Sequence, residues 1–147
     1  MDVAPRAPAA RPSEGGASGF DFWLGDWDCT SATGAAVNRI TKVLGGQVIQ
    51  EDFRSAGLNG HSISVFNEGR QLWMQTWVDD QNGYLLFVGR REPDRMILMG
   101  RRPDGTPNGM RMVWDEIAAE AFSWDYQKES EDGSWSSQWK IAYRRRP

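Results

Sequence analysis

A chain of 147 residues has room for one domain around one core. Its 17 Lys and Arg against 20 Asp and Glu leave a formal net charge of −3 and an isoelectric point of about 5.2, so there is no basic excess to neutralise phosphates and a general nucleic-acid binder is excluded. One Cys and one His exclude an internal disulfide and a His/Cys zinc cluster, and no apolar run approaches the length of a membrane-spanning helix.

Residues 1–19 hold five Ala, three Pro and three Gly, with no large aliphatic side chain beyond Val3. Such a segment buries too little apolar surface to offset the entropy of ordering it, so a flexible lead is expected, with the folded domain over 20–147. The lead also lacks the apolar stretch of a signal peptide, which makes a cytoplasmic location the expectation.

The one helical candidate of substance is the turn Phe20–Gly25. Beyond it, turn-forming pairs recur at Thr33-Gly34, Gly45-Gly46, Asn59-Gly60, Asn82-Gly83, Pro93-Asp94, Asp104-Gly105 and Asp132-Gly133. The runs between them are rich in Val, Ile, Phe, Trp and Thr. This spacing predicts strands over 27–33, 38–44, 47–55, 61–67, 71–79, 84–91, 95–102, 109–117, 120–128 and 135–145. The stretch Met110–Tyr126 has a helix-like centre at Ala118–Ala121, but Met110, Met112 and Trp114 alternate with period two. Ten antiparallel strands in an open sheet would leave two long edges and a bare face. The fold class is therefore all-β, a closed antiparallel up-and-down barrel of about eight to ten strands.

Alternation predicts which side chains point inward. The third strand offers Ile49, Glu51 and Phe53, the fourth His61, Ile63 and Val65 against Ser62 and Ser64. The eighth offers Met110, Met112 and Trp114, and the ninth Phe122, Trp124 and Tyr126. Trp135, Trp139, Ile141 and Tyr143 form the inward set of the tenth. The fifth strand is ambiguous, because Trp73, Gln75 and Trp77 alternate with Leu72, Met74, Thr76 and Val78.

The most specific stretch is Phe20-Asp21-Phe22-Trp23-Leu24-Gly25-Asp26-Trp27-Asp28. It resembles the opening of a family of small bacterial lipocalin-like proteins, a domain of unknown function that begins F-D-F-W-x-G-x-W. Gly60–Ser64, Trp73–Asp79, Arg111–Trp114 and Trp139–Arg144 resemble the same family, so the likeness covers nearly all of the body. The Gly25-x-Trp27 core is also similar to the G-x-W signature of lipocalins. The resemblance implies a calycin-type antiparallel barrel and implies no reaction. In physical terms, Gly25 lets the chain turn into the first strand, Trp27 packs under one end of the barrel, and Arg144 or Arg145 can stack on its ring.

Eight Trp in such a chain point to an aromatic-lined cavity for a flat or greasy ligand, or else to a core packed solid. The cavity reading names Phe53, Gln75, Trp77, Met112, Trp114, Trp124, Tyr126, Trp139 and Tyr143 as ligand-binding residues. Glu51, between Ile49 and Phe53 on its face, should be desolvated with a raised pKa; it is either a general acid or base, or a carboxylate hydrogen-bonded to fix strand packing. His61 is either a general base, a rim histidine with no role, or a lone axial haem ligand as in the related nitrobindin barrels, whose glycine-rich N-terminal motif this chain lacks.

No nucleophile elbow, Walker or Rossmann glycine pattern occurs. Cys29 reads as a buried inert thiol, and Asp79, Asp80 and Asp132 as turn residues rather than metal ligands. Two functions remain. One is a barrel that binds a small apolar or aromatic metabolite without covalent chemistry. The other is a biosynthetic cyclase, isomerase or lyase with Glu51 or His61 moving one proton. Neither needs a cofactor or metal, nucleic acid or membrane; a homodimer stays open.

Overall fold

The computed structural model describes residues 15–147 of the chain. Residues 1–14, most of the expected lead, lie outside the described part. Two 3-10 turns, Gly16–Ser18 and Asp21–Trp23, precede the strands. The packed body therefore takes in Gly16–Gly19, which composition assigned to the lead: the Trp73 indole donates to the Gly16 carbonyl at 3.3 Å.

Among the described residues ten strands follow: β1 Gly25–Ser31, β2 Gly34–Val43, β3 Val48–Ser55, β4 Asn59–Asn67, β5 Leu72–Asp79, β6 Tyr84–Arg91, β7 Met96–Arg101, β8 Pro107–Asp115, β9 Ala121–Glu129 and β10 Trp135–Arg145. Each pairs antiparallel with its neighbours in sequence, and β10 pairs with β1, so the sheet closes into an up-and-down barrel with no free edge. Among the described residues no helix is long and apolar enough to cross a membrane.

The N-terminal segment closes one end of the barrel. Phe20 and Trp23 are buried and pack edge-on against Trp114, with ring centroids 5.1 and 5.4 Å away, and Phe20 also meets Trp73 at 4.9 Å. The chain then turns at Gly25, whose φ of 130° belongs to the region that favours glycine, and a Cβ there would collide with the Arg145 guanidinium. Arg145, rather than Arg144, covers Trp27, with its Cζ 4.2 Å from the ring centre. It also donates to the carbonyls of Leu24 and Ala119 at 2.8 and 3.1 Å, which ties β10 to the plug and to the β8–β9 loop.

The inward face of β3 is as predicted, with Ile49, Glu51 and Phe53 buried. On β5 the ambiguity resolves to Trp73, Gln75 and Trp77 facing inward, while Met74 and Val78 are exposed. Two faces differ from expectation. On β4 it is Gly60, Ser62 and Ser64 that face the interior, and His61, Ile63 and Val65 lie outside, Ile63 being 55% exposed. Bulk on neighbouring strands is the reason: a Cβ on Gly60 would clash with the Trp77 ring, and Ser62 sits in register with Glu51, which needs a donor. On β10 a bulge at Gln138, between the Ser137–Gln127 and Trp139–Tyr126 pairs, reverses the alternation. Trp135 consequently falls on the outer face, where the Arg111 guanidinium covers it at 4.2 Å.

Candidate functional site

The interior beyond the plug is hollow. A cavity of about 230 Å³ runs from the Trp114 side of the plug to the loop end of the barrel, where Leu58, Asp79 and Leu85 line it. The nine residues named from the sequence all line it: Phe53 on β3; Gln75 and Trp77 on β5; Met112 and Trp114 on β8; Trp124 and Tyr126 on β9; Trp139 and Tyr143 on β10. Period-two alternation brings them together because each occupies an inward position on one of five strands of the barrel. Phe87 and Ile141 complete the apolar wall.

The rings stand at steep angles to one another. Trp139 meets Phe53 at 6.0 Å and Trp124 at 5.5 Å, both with planes 88° apart, and Phe53 meets Trp77 at 6.3 Å and 64°. Trp124 and Tyr126 are nearly parallel at 6.1 Å. Edge-to-face contacts of this kind place the positive edge of one ring against the negative face of the next, which fixes the ring orientations.

One polar cluster is set into this apolar wall. Oε1 of Glu51 accepts the Ser62 hydroxyl at 2.7 Å, and Oε2 accepts the Asn38 side-chain amide at 2.7 Å. The same amide donates to the Tyr143 hydroxyl at 3.0 Å. Burial pushes the Glu51 carboxyl above the usual carboxylate range, and the Asn38 and Ser62 bonds offset only part of that rise. Burial likewise holds Tyr143 well above the ordinary phenol value and pushes the neighbouring Cys29 thiol up to about 12, so both stay neutral. Next to this cluster, Gln75 donates to the Ser64 hydroxyl at 3.0 Å.

A second carboxylate stands at the loop end. Asp79 accepts the Trp77 indole N–H at 2.8 Å and the backbone N–H groups of Gln81 and Gly83. The Trp77 bond, joined by those two, holds its carboxyl below the usual range. Among the described residues no Lys, Arg or His lines the cavity.

His61 is not part of the site. It lies on the outer face of β4 with its Nε2 3.1 Å from Oδ1 of Asp52, which also pairs with Arg54 at 2.8 Å. This removes it as a proton carrier for anything in the barrel, and the cause is the reversed face of β4 described above. Sequence reasoning missed Asn38, whose signal is faint: a polar residue two positions before Ile40 on a strand with little apolar alternation. It also missed the rim residues Leu58 and Leu85. Among the described residues no group of His, Cys, Asp and Glu is arranged to hold a metal ion. In comparisons with known proteins, no family model matches the chain and no curated protein matches it.

Proposed function

We propose that the protein is a small-molecule-binding barrel that takes an apolar or aromatic metabolite into the aromatic cavity and performs no covalent chemistry on it. The observation that carries this reading is the cavity itself, with about 230 Å³ walled by rings and reaching the loop end. An apolar cavity of roughly 150 Å³ already holds benzene, so this one has space for a one- or two-ring molecule. Burial of the ligand's apolar surface supplies the affinity, and Glu51, Gln75 and Tyr143 supply the polar contacts that orient it. The end-closing arrangement of Gly25, Trp27 and Arg145 and the up-and-down order support placing the chain among lipocalin-like barrels.

Isothermal titration with naphthalene tests the reading. Saturable one-to-one binding that Trp139→Ala weakens is the expected result; a titration without saturation contradicts it.

The buried Glu51 carboxyl favours one second reading, a cofactor-free cyclase, isomerase or lyase. In that case Glu51, held by Asn38 and Ser62 with its pKa raised, carries the proton. Turnover of a bound metabolite that Glu51→Gln abolishes without loss of binding would support this second reading over the first.

A further inference from the structure

The charge and ring geometry of the cavity narrow the chemistry of what it takes. We propose that the ligand is an organic ammonium ion, a protonated amine or a quaternary ammonium on an apolar or aromatic frame, held by the ring faces and by Glu51. The proposal deepens the binding reading above and rests on it.

Three observations carry the inference. First, among the described residues the only acidic side chains in the lining are Glu51 and Asp79, and no cationic side chain accompanies them. Second, Phe53, Trp77, Trp124 and Trp139 all line the cavity, and the contacting pairs among them are steeply inclined, Phe53–Trp77 at 64° and Phe53–Trp139 and Trp124–Trp139 at 88°, so the aromatic wall does not lie in one plane. A ring face carries the negative part of the aromatic quadrupole, and a wall of differently inclined rings lets an ammonium group reach a face by small side-chain adjustments. Third, the two carboxylates occupy opposite ends of the path. Asp79, held ionised by the Trp77 indole and backbone N–H groups, stands where a ligand enters, and Glu51 lies beyond the rings among Asn38, Ser62 and Tyr143. An anionic ligand would meet two carboxyl groups with no cation among the described lining residues to neutralise it. A neutral ligand would use the rings but not the carboxylates.

The Glu51 proton follows from this arrangement. Its neighbours are Asn38 from β2, Ser62 from β4, Tyr143 from β10 and, behind Tyr143, the Cys29 thiol of β1. His61 lies on the far face of β4, and Asp79 stands at the mouth. Tyr143 and Cys29 are neutral across the physiological range. In the empty cavity burial favours the protonated Glu51 carboxyl. An ammonium ion beside it favours the carboxylate, so the proton leaves to solvent as the cation binds.

Three isosteric probes read this out through intrinsic Trp fluorescence: benzyltrimethylammonium, neopentylbenzene and phenylmethanesulfonate, which are cationic, neutral and anionic. The cation is expected to bind about tenfold or more tighter than the neutral probe, with no saturable binding of the anion. In the unmodified protein the Kd of the permanently charged cation should tighten as pH rises through the elevated Glu51 titration, while that of neopentylbenzene stays flat. Glu51→Gln should abolish that pH dependence and shrink the preference for the cation. Asp94→Asn, in the exposed β6–β7 turn, should leave both unchanged. Neopentylbenzene binding as tightly as the cation, or a flat pH profile for the cation, overturns the proposal and leaves the cavity reading standing. Failure of all three probes to bind overturns both.

Discussion

The Ser62 hydroxyl donates to Oε1 of Glu51 across β3 and β4 at 2.7 Å, inside a barrel walled mostly by aromatic and aliphatic side chains. This bond and the Asn38 amide make a buried carboxyl tolerable, yet desolvation still outweighs them and raises the Glu51 pKa.

A stability consequence follows. A raised pKa means that the folded state holds the proton more tightly than the unfolded chain, whose Glu titrates near its ordinary value of about 4.3. The group is neutral in both states below that value and contributes no penalty there. As pH rises through the unfolded and then the folded titration, it increasingly destabilises the fold. Urea unfolding at a series of pH values should show this decline in the native sequence, and Glu51→Gln should flatten it. An unchanged pH profile in the variant would show that Glu51 is not the group responsible.

The plug and the cavity wall should respond differently to truncation. Trp23 is about 1% exposed and packed against Phe20, so Trp23→Ala should cost roughly 3–5 kcal/mol in chemical denaturation. Trp139 already borders empty space, and Trp139→Ala should cost less while weakening ligand-induced fluorescence changes more than Trp23→Ala does. Equal ligand response in Trp23→Ala and Trp139→Ala would contradict the assignment of the cavity.

The closed end depends on Gly25 and Arg145. Gly25→Ala places a side chain where φ is 130° and where the Arg145 guanidinium already sits, so a loss of about 1–3 kcal/mol is expected. Arg145→Met should lower stability as well, because it leaves the Leu24 and Ala119 carbonyls without a donor and uncovers Trp27. Thermal midpoints measure both; a midpoint unchanged in Gly25→Ala would show that the plug can shift without cost.

Cys29 should be chemically silent in the folded protein. Its thiol is buried with its pKa pushed up to about 12, so little thiolate exists near neutral pH. Alkylation by iodoacetamide, followed by mass spectrometry, should be slow in buffer and rapid in denaturant. Fast labelling of the native protein would show that β1 opens locally.

Much of this arrangement is legible in the residues. Turn pairs and alternation place each strand to within a few residues, because a closed barrel needs little more than short connections and a period of two. Glu51 and seven of the nine cavity positions follow from the same alternation, whereas Gln75 and Trp77 do not, because both faces of β5 carry apolar side chains. Alternation misleads where it equates inward with bulky. On β4 the space is already filled by Trp77, so small residues face in and Ile63 and Val65 are left outside. The Gln138 bulge hides Trp135 from any fixed period, since one added residue swaps the faces of a strand. Asn38 is invisible for a different reason: its role depends on Glu51 and Tyr143, which lie on two other strands.

The most direct test of a ligand inside the barrel is a titration followed by the indole N–H signals of the isotopically labelled protein. With naphthalene, the signals of Trp77, Trp124 and Trp139 should shift together along one saturable curve, while those of Trp27 and Trp135, at the closed end and on the outer face, stay in place. Indole signals that do not move, or that all drift without saturation, would contradict the account of a hollow, ligand-binding barrel.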